Sequence, residues 1–133
     1  MIKLSNEVAK RLSKEVHYKE VDFISDCRTY IKALKAGRLL FKVEHVSNSG
    51  MSRKISITSF EGKHSKGYYR QYGKMLGALG YKVNYDYSNT NVTIGGCGMD
   101  MVWNLNYNIV KSLRRMGFMQ EQTCAKLSQK ING

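Results

Sequence analysis

The sequence predicts an α+β domain in the order ααββαββαα, with a mostly antiparallel four-stranded sheet made of two hairpins. Three observations lead there. Apolar residues recur at helical spacing in several separate segments, they alternate with polar ones in four others, and polar or glycine-bearing turns divide the two kinds.

Residues 5–16 predict a first helix. Ser5 is placed to cap it, Glu7 suits its first turn, and Val8, Leu12 and Val16 recur at i, i+4 and i+8. A second helix follows over 22–36, where Phe23 or Ile24, Cys27, Ile31 and Leu34 make a stripe and Gly37 stands as its stop. The period then becomes two. In 38–46 Leu39, Phe41, Val43 and His45 share one parity, with Lys42 and Glu44 on the other. SNSGMSR (47–53) is a polar loop. Ile55 and Ile57 resume the alternation in a strand ending near Phe60, which makes a hairpin with a long connection.

EGKHSKG (61–67) is a basic loop, and a third helix over about 67–79 aligns Tyr68, Tyr72, Met75 or Leu76, and Leu79. Gly73 and Gly77 each weaken that helix by roughly 1 kcal/mol, so a close neighbour is expected against it. Tyr81, Val83, Tyr85 and Tyr87 alternate with Lys82, Asn84 and Asp86; the chain turns at 88–91 and returns through Val92 and Ile94. GGCGMDM (95–101) then launches a fourth helix with Val102, Leu105, Ile109, Leu113 and Met116 on its buried side and Gly117 at its end. A short tail helix is expected over 120–131.

At 133 residues this reads as a single domain: an N-terminal helical segment (residues 1–37), an α/β core (38–117) and a helical tail (118–133). Lys and Arg number 22 against 10 Asp and Glu, a net charge of +12 that attracts polyanions. Proline is absent, which excludes proline-rich linkers and ligands. No stretch approaches the ~20 apolar residues of a membrane span. The three cysteines, Cys27, Cys97 and Cys124, have no CxxC spacing. A disulfide framework and a zinc ribbon are therefore not expected, and a reducing cytoplasm is.

Two glycine-rich turns carry the chemical interest. In Ile94-Gly95-Gly96-Cys97-Gly98-Met99-Asp100, three glycines stand between a strand and a helix. There the backbone can approach a phosphate, and amides at the helix start point at the anion. Neither a Walker loop nor GxGxxG is satisfied. Asp100 suits an N-cap or an acceptor for a sugar hydroxyl or base edge. The alternative is a tight turn that only lets strand and helix pack. Ser47-Asn48-Ser49-Gly50-Met51-Ser52-Arg53 gathers hydroxyls, an amide and an arginine able to hold phosphate with two donors; its alternative is an ordinary exposed hairpin loop. Fourteen of the 22 basic residues lie in 1–66, many of them solvating helix faces. Arg114 and Arg115 either complement the end of the fourth helix or reach a ligand. Tyr85 and Tyr87 fit the core better than base stacking. Cys97 with His45 as its base would make a nucleophile pair, but nothing in the spacing joins them, and no carboxylate pair or metal box stands out. Catalytic residues, metal ligands and cofactors are not expected.

The segment HVSNSGMSRKIS (45–56), followed by GGCGMDM (95–101), resembles a group of small tailed-phage proteins that carry an SGMSR-like loop and a GCGMDM-like turn. The resemblance covers roughly residues 38–116. The chain is also similar to phage anti-defence proteins of the anti-Thoeris type, which act as sponges for nucleotide immune signals. That resemblance implies a homo-oligomer in the host cytoplasm. It would bind a cyclic ADP-ribose isomer or a cyclic oligonucleotide at subunit interfaces without degrading it. On matching positions it implies ligand contact by Ser49, Gly50, Ser52 and Arg53 and by Gly95, Gly96, Gly98 and Asp100, to which the residue reading adds Arg114 and Arg115. A basic accessory phage protein that binds nucleic acid is the alternative, and an inhibitor of a host enzyme is a third class. No helix-turn-helix, zinc finger or ribonucleoprotein aromatic motif speaks for nucleic acid, although binding to the phosphate backbone needs none of them.

Overall fold

The computed structural model describes residues 1–38, 41–46, 53–57, 66–85, 91–95 and 104–132, with side-chain packing in 1–38, 72–83, 104–129 and 131. Five helices are described: α1 (Asn6–Ser13), α2 (Glu20–Lys35), α3 (Lys66–Leu79), α4 (Leu105–Arg115) and α5 (Glu121–Asn132). Four short strands lie between them: β1 (Phe41–Val46), β2 (Arg53–Ile57), β3 (Lys82–Tyr85) and β4 (Asn91–Gly95). The strands are all antiparallel, in the order β1-β2-β4-β3.

The fold class expected from the sequence, an α+β domain with a mostly antiparallel four-stranded sheet of two hairpins, is corrected here to a mostly helical one. Of the residues with described side chains, 69% are helical. Helices run from 8 to 16 residues, whereas no strand exceeds six. The buried core is helix against helix. Val8 and Leu12 come from α1, Phe23, Cys27, Tyr30, Ile31, Ala33 and Leu34 from α2, Tyr72, Met75, Leu76 and Ala78 from α3, Leu105, Ile109, Val110 and Leu113 from α4, and Cys124 and Leu127 from α5. Of the described strand side chains, Val83 is packed against this core. The physical reason lies in the end segments. Their apolar stripes face one another and, with α3, supply nearly all of the buried apolar side chains among the described residues.

Local chemistry explains the boundaries. The Ser5 hydroxyl accepts from Val8 N at 3.2 Å, capping α1. That helix ends at Ser13, so Val16, expected on the buried stripe, is 74% exposed. The backbone N–H of Lys19 donates to the Asp22 carboxylate at 3.2 Å, and α2 begins two residues ahead of the predicted position. Three helices end on one device: a glycine at positive φ (Gly37, +80°; Gly80, +111°; Gly117, +87°) followed by a backbone bond that reaches five residues back. Arg38 N donates to Ala33 O, Tyr81 N to Leu76 O and Phe118 N to Leu113 O, at 2.9–3.0 Å. Arg11 of α1 reinforces the second of these ends by donating to Ala78 O at 3.1 Å. The close neighbour expected at Gly77 is not there, since a Cβ at that position would meet nothing within 4 Å.

Gly117 carries a second constraint, because a Cβ there would stand 2.8 Å from the Met1 carbonyl oxygen. The N-terminal segment is held there by Lys3 N donating to Met116 O at 2.9 Å. Gly37 shares the positive φ but faces open space. Gly37→Ala is therefore expected to lose about 1–2 kcal/mol, the left-handed backbone cost alone. Gly117→Ala should lose clearly more, because backbone must shift as well. Urea denaturation of both variants checks the difference, and equal losses would show that the Met1 contact is immaterial.

Candidate functional site

The strand register builds the site from the backbone upward. Arg53 opens β2 and is paired with Val46 at the end of β1 and with Ile94 near the end of β4. Ile94 is paired in turn with Val83 of β3, and Gly95 with Lys82. Val46, Arg53, Ile94 and Val83 thus form one row across all four strands, at one end of the sheet. At that end β1 stops, β2 starts and β4 stops. The strand ends that border the two glycine-rich segments, SGMSR and GGCGMD, are therefore neighbours, although forty residues separate them in sequence.

Of the residues expected to touch ligand, Arg53 and Gly95 are brought to this end, one register step apart. Ser49, Gly50, Ser52, Gly96, Gly98 and Asp100 lie outside the described residues, as do Cys97 and Tyr87. Arg114 and Arg115 occupy the last turn of α4. Arg114 Nη1 donates to Glu121 Oε2 at 2.9 Å across the α4–α5 turn, an ion pair in which both side chains are largely exposed. This arrangement suits helix termination, since a cation there offsets the C-terminal dipole. Lys82 is a residue that the sequence motifs do not mark. It is exposed and paired with Gly95, and only the β3–β4 register could have revealed it.

The placement of His45 also differs from expectation. A bulge between Val43 and His45 shifts the register, so His45 is paired with Lys54 while Val43 is paired with Ile55. One inserted residue breaks the parity argument that grouped His45 with Phe41 and Val43. His45 instead shares a row with Lys54, Thr93 and Asn84.

Polar chemistry in the helical core serves packing. The Tyr18 hydroxyl donates to Asp26 Oδ2 at 2.6 Å, and both residues are buried. Burial drives the Tyr18 hydroxyl far above its usual range, with the hydrogen bond to Asp26 and that carboxylate's charge adding to the effect. Burial likewise pushes up the Cys27 thiol, assisted by Asp26. Such a thiol stays protonated and unreactive. Tyr30 donates to Asn106 Oδ1 at 2.6 Å. Among the described residues no group of three His, Cys, Asp or Glu side chains could hold a metal ion, and no helix is long and apolar enough to cross a membrane. A shallow groove of about 310 Å3 runs along α2, lined by Val21, Ile24, Ser25, Arg28, Thr29 and Lys32, and it includes none of the expected ligand residues. No family model, curated protein or solved structure matches this chain.

Proposed function

We propose that this protein binds and sequesters a cyclic nucleotide, a cyclic ADP-ribose isomer or a cyclic oligonucleotide, and leaves it intact, as a phage anti-defence protein would. The single observation that supports this reading is the pairing of Arg53 with Ile94. It makes neighbours of the strand ends that lead into a hydroxyl-rich loop and a glycine-rich turn. A guanidinium and closely spaced glycine amides suit phosphate oxygens, and hydroxyl and carboxylate groups in the same segments suit a sugar. The charge of +12 favours capture of an anion. Sequestration rather than turnover is favoured because nothing in the spacing joins Cys97 or the serines of these segments to an activating base. Assembly as a homo-oligomer, with the ligand at a subunit interface, belongs to the same proposal.

The test is a thermal-shift screen at near-physiological salt with cyclic ADP-ribose isomers and cyclic di- and trinucleotides. A ligand held at 100 times its Kd adds about 2.7 kcal/mol, which raises Tm by several degrees. Denaturation should then release the ligand unaltered. Arg53→Ala is expected to abolish the shift while moving the ligand-free Tm by only a few degrees. A normal shift in that variant would make the SGMSR segment an ordinary turn, and a cleaved ligand would turn the protein into an enzyme.

A further inference from the structure

The two faces of the sheet are chemically unlike. Val83 packs on the helical core, and the positions sharing its face are Ile94, Arg53 and Val46 in one row and Tyr85, Val92, Ile55 and Val43 in the next. Lys82, the next residue along β3, is exposed. The positions that share its parity form the opposite face: Asn84, Thr93, Lys54 and His45 in one row, and Asn91, Ser56 and Lys42 in the next. Together with Lys82 these rows hold three lysines and a histidine among hydroxyls and amides, with no carboxylate and no phenylalanine, tyrosine or tryptophan. The one acid in the four strands, Glu44, sits at the bulge and outside the rows.

We infer that this face is a docking surface for the phosphate backbone of a nucleic-acid duplex, read without regard to sequence. Charge complementarity carries the argument. Lysines supply the attraction, while serine, threonine and asparagine are side chains that bond phosphate and sugar oxygens. With strands about 4.8 Å apart and about 3.3 Å per residue, Lys42, Lys54 and Lys82 fall on a diagonal with steps of roughly 8 and 12 Å. Those steps are comparable with the groove widths, about 6 and 12 Å, across which phosphates of a duplex face each other. Single strands are held largely by bases stacking on aromatic side chains, of which these rows offer only the His45 imidazole. The bulge at Val43–His45 contributes by setting His45 beside Lys54.

The experiment is fluorescence anisotropy with a labelled duplex of two helical turns and the matching single strand, over about 50–200 mM salt. Binding to the duplex is expected, and to be tighter than to the single strand. Each lost phosphate contact flattens the plot of log K against log salt by about 0.9. The triple variant Lys42→Ala/Lys54→Ala/Lys82→Ala should therefore flatten it by about 2 to 3. Lys82→Ala alone, at an exposed position, should flatten it by about 1 even if the triple variant folds poorly. Arg28→Ala/Lys32→Ala on α2 serves as the control and should change nothing. Absence of duplex binding at the lowest salt, preference for the single strand, or flattening by the α2 variant and not by Lys82→Ala would each overturn the proposal. Arg53→Ala should leave the duplex slope intact, so failure of the nucleotide reading and failure of this one are separately visible.

Discussion

Above pH 9 the protein is expected to lose stability, increasingly so above pH 10. Three buried acids cause this. Cys27, Tyr18 and Tyr30 are held protonated, each chiefly by burial. Asp26 adds to the effect at Cys27 and Tyr18, and Tyr81 and Tyr72 add to it at Tyr30. In the unfolded chain they ionise near their ordinary values, 9.0 for the thiol and 10.0 for the phenols. Over the alkaline range the unfolded state therefore binds fewer protons than the folded one, and stability falls as pH rises. Below pH 9 the contribution is complete. Each group that stays protonated in the fold then costs up to about 1.4 kcal/mol per pH unit above its ordinary value, first the thiol and then the two phenols. Urea midpoints measured from pH 7 to 11 check the curve. Cys27→Ala should remove most of the fall between pH 9 and 10, because the two tyrosines enter only above that. A flat profile to pH 11 would mean that these side chains reach water in the native state.

The periodic segments of the sequence carry the helices well and the sheet poorly, for a physical reason. Helix signals are local. Ser5, Gly37 and Gly117 act through neighbours three to five residues away, and those contacts are present. What decides the sheet is the pairing of distant segments. Periodicity cannot see that Arg53 meets Ile94, or that one extra residue at Glu44 carries His45 into the row of Lys54. The candidate site shows the same division. Its glycines and its arginine are visible as motifs, whereas Lys82 enters only because β3 pairs with β4 so that it stands opposite Gly95. The overestimate of the sheet has a related origin. Alternation marks strands clearly, but the volume of the core is set by long side chains on helices, with Phe23, Tyr30 and Tyr72 all fully buried. Where a stripe ends is also decided at a distance: Val16 continues the pattern of Val8 and Leu12, yet the helix stops before it.

Phe23→Ala is expected to destabilise the protein by about 3–5 kcal/mol, the range for deleting a fully buried ring. For a chain of this size, that is a fall in Tm of roughly 10 to 20 °C. Phe23 has no exposed surface and sits between two other aromatic residues. Its ring meets Tyr18 edge-on, centroids 6.5 Å apart at 88°, and Phe118 at 6.4 Å and 77°. Tyr18 belongs to the link between α1 and α2, and Phe118 to the link between α4 and α5, so one side chain ties the two ends of the sequence together. Phe23→Leu should cost less than the alanine variant, because it keeps most of the volume and gives up mainly the edge-to-face contacts, each about 0.5–1.5 kcal/mol. The pair of variants also tests the corrected fold class. If the core lay in the sheet, with the terminal helices packed loosely outside it, removing a ring from α2 would cost under about 1 kcal/mol, as surface changes do. If the core is the helical cluster, the loss reaches the full range, and denaturant unfolding should remain a single transition, as small single domains usually show.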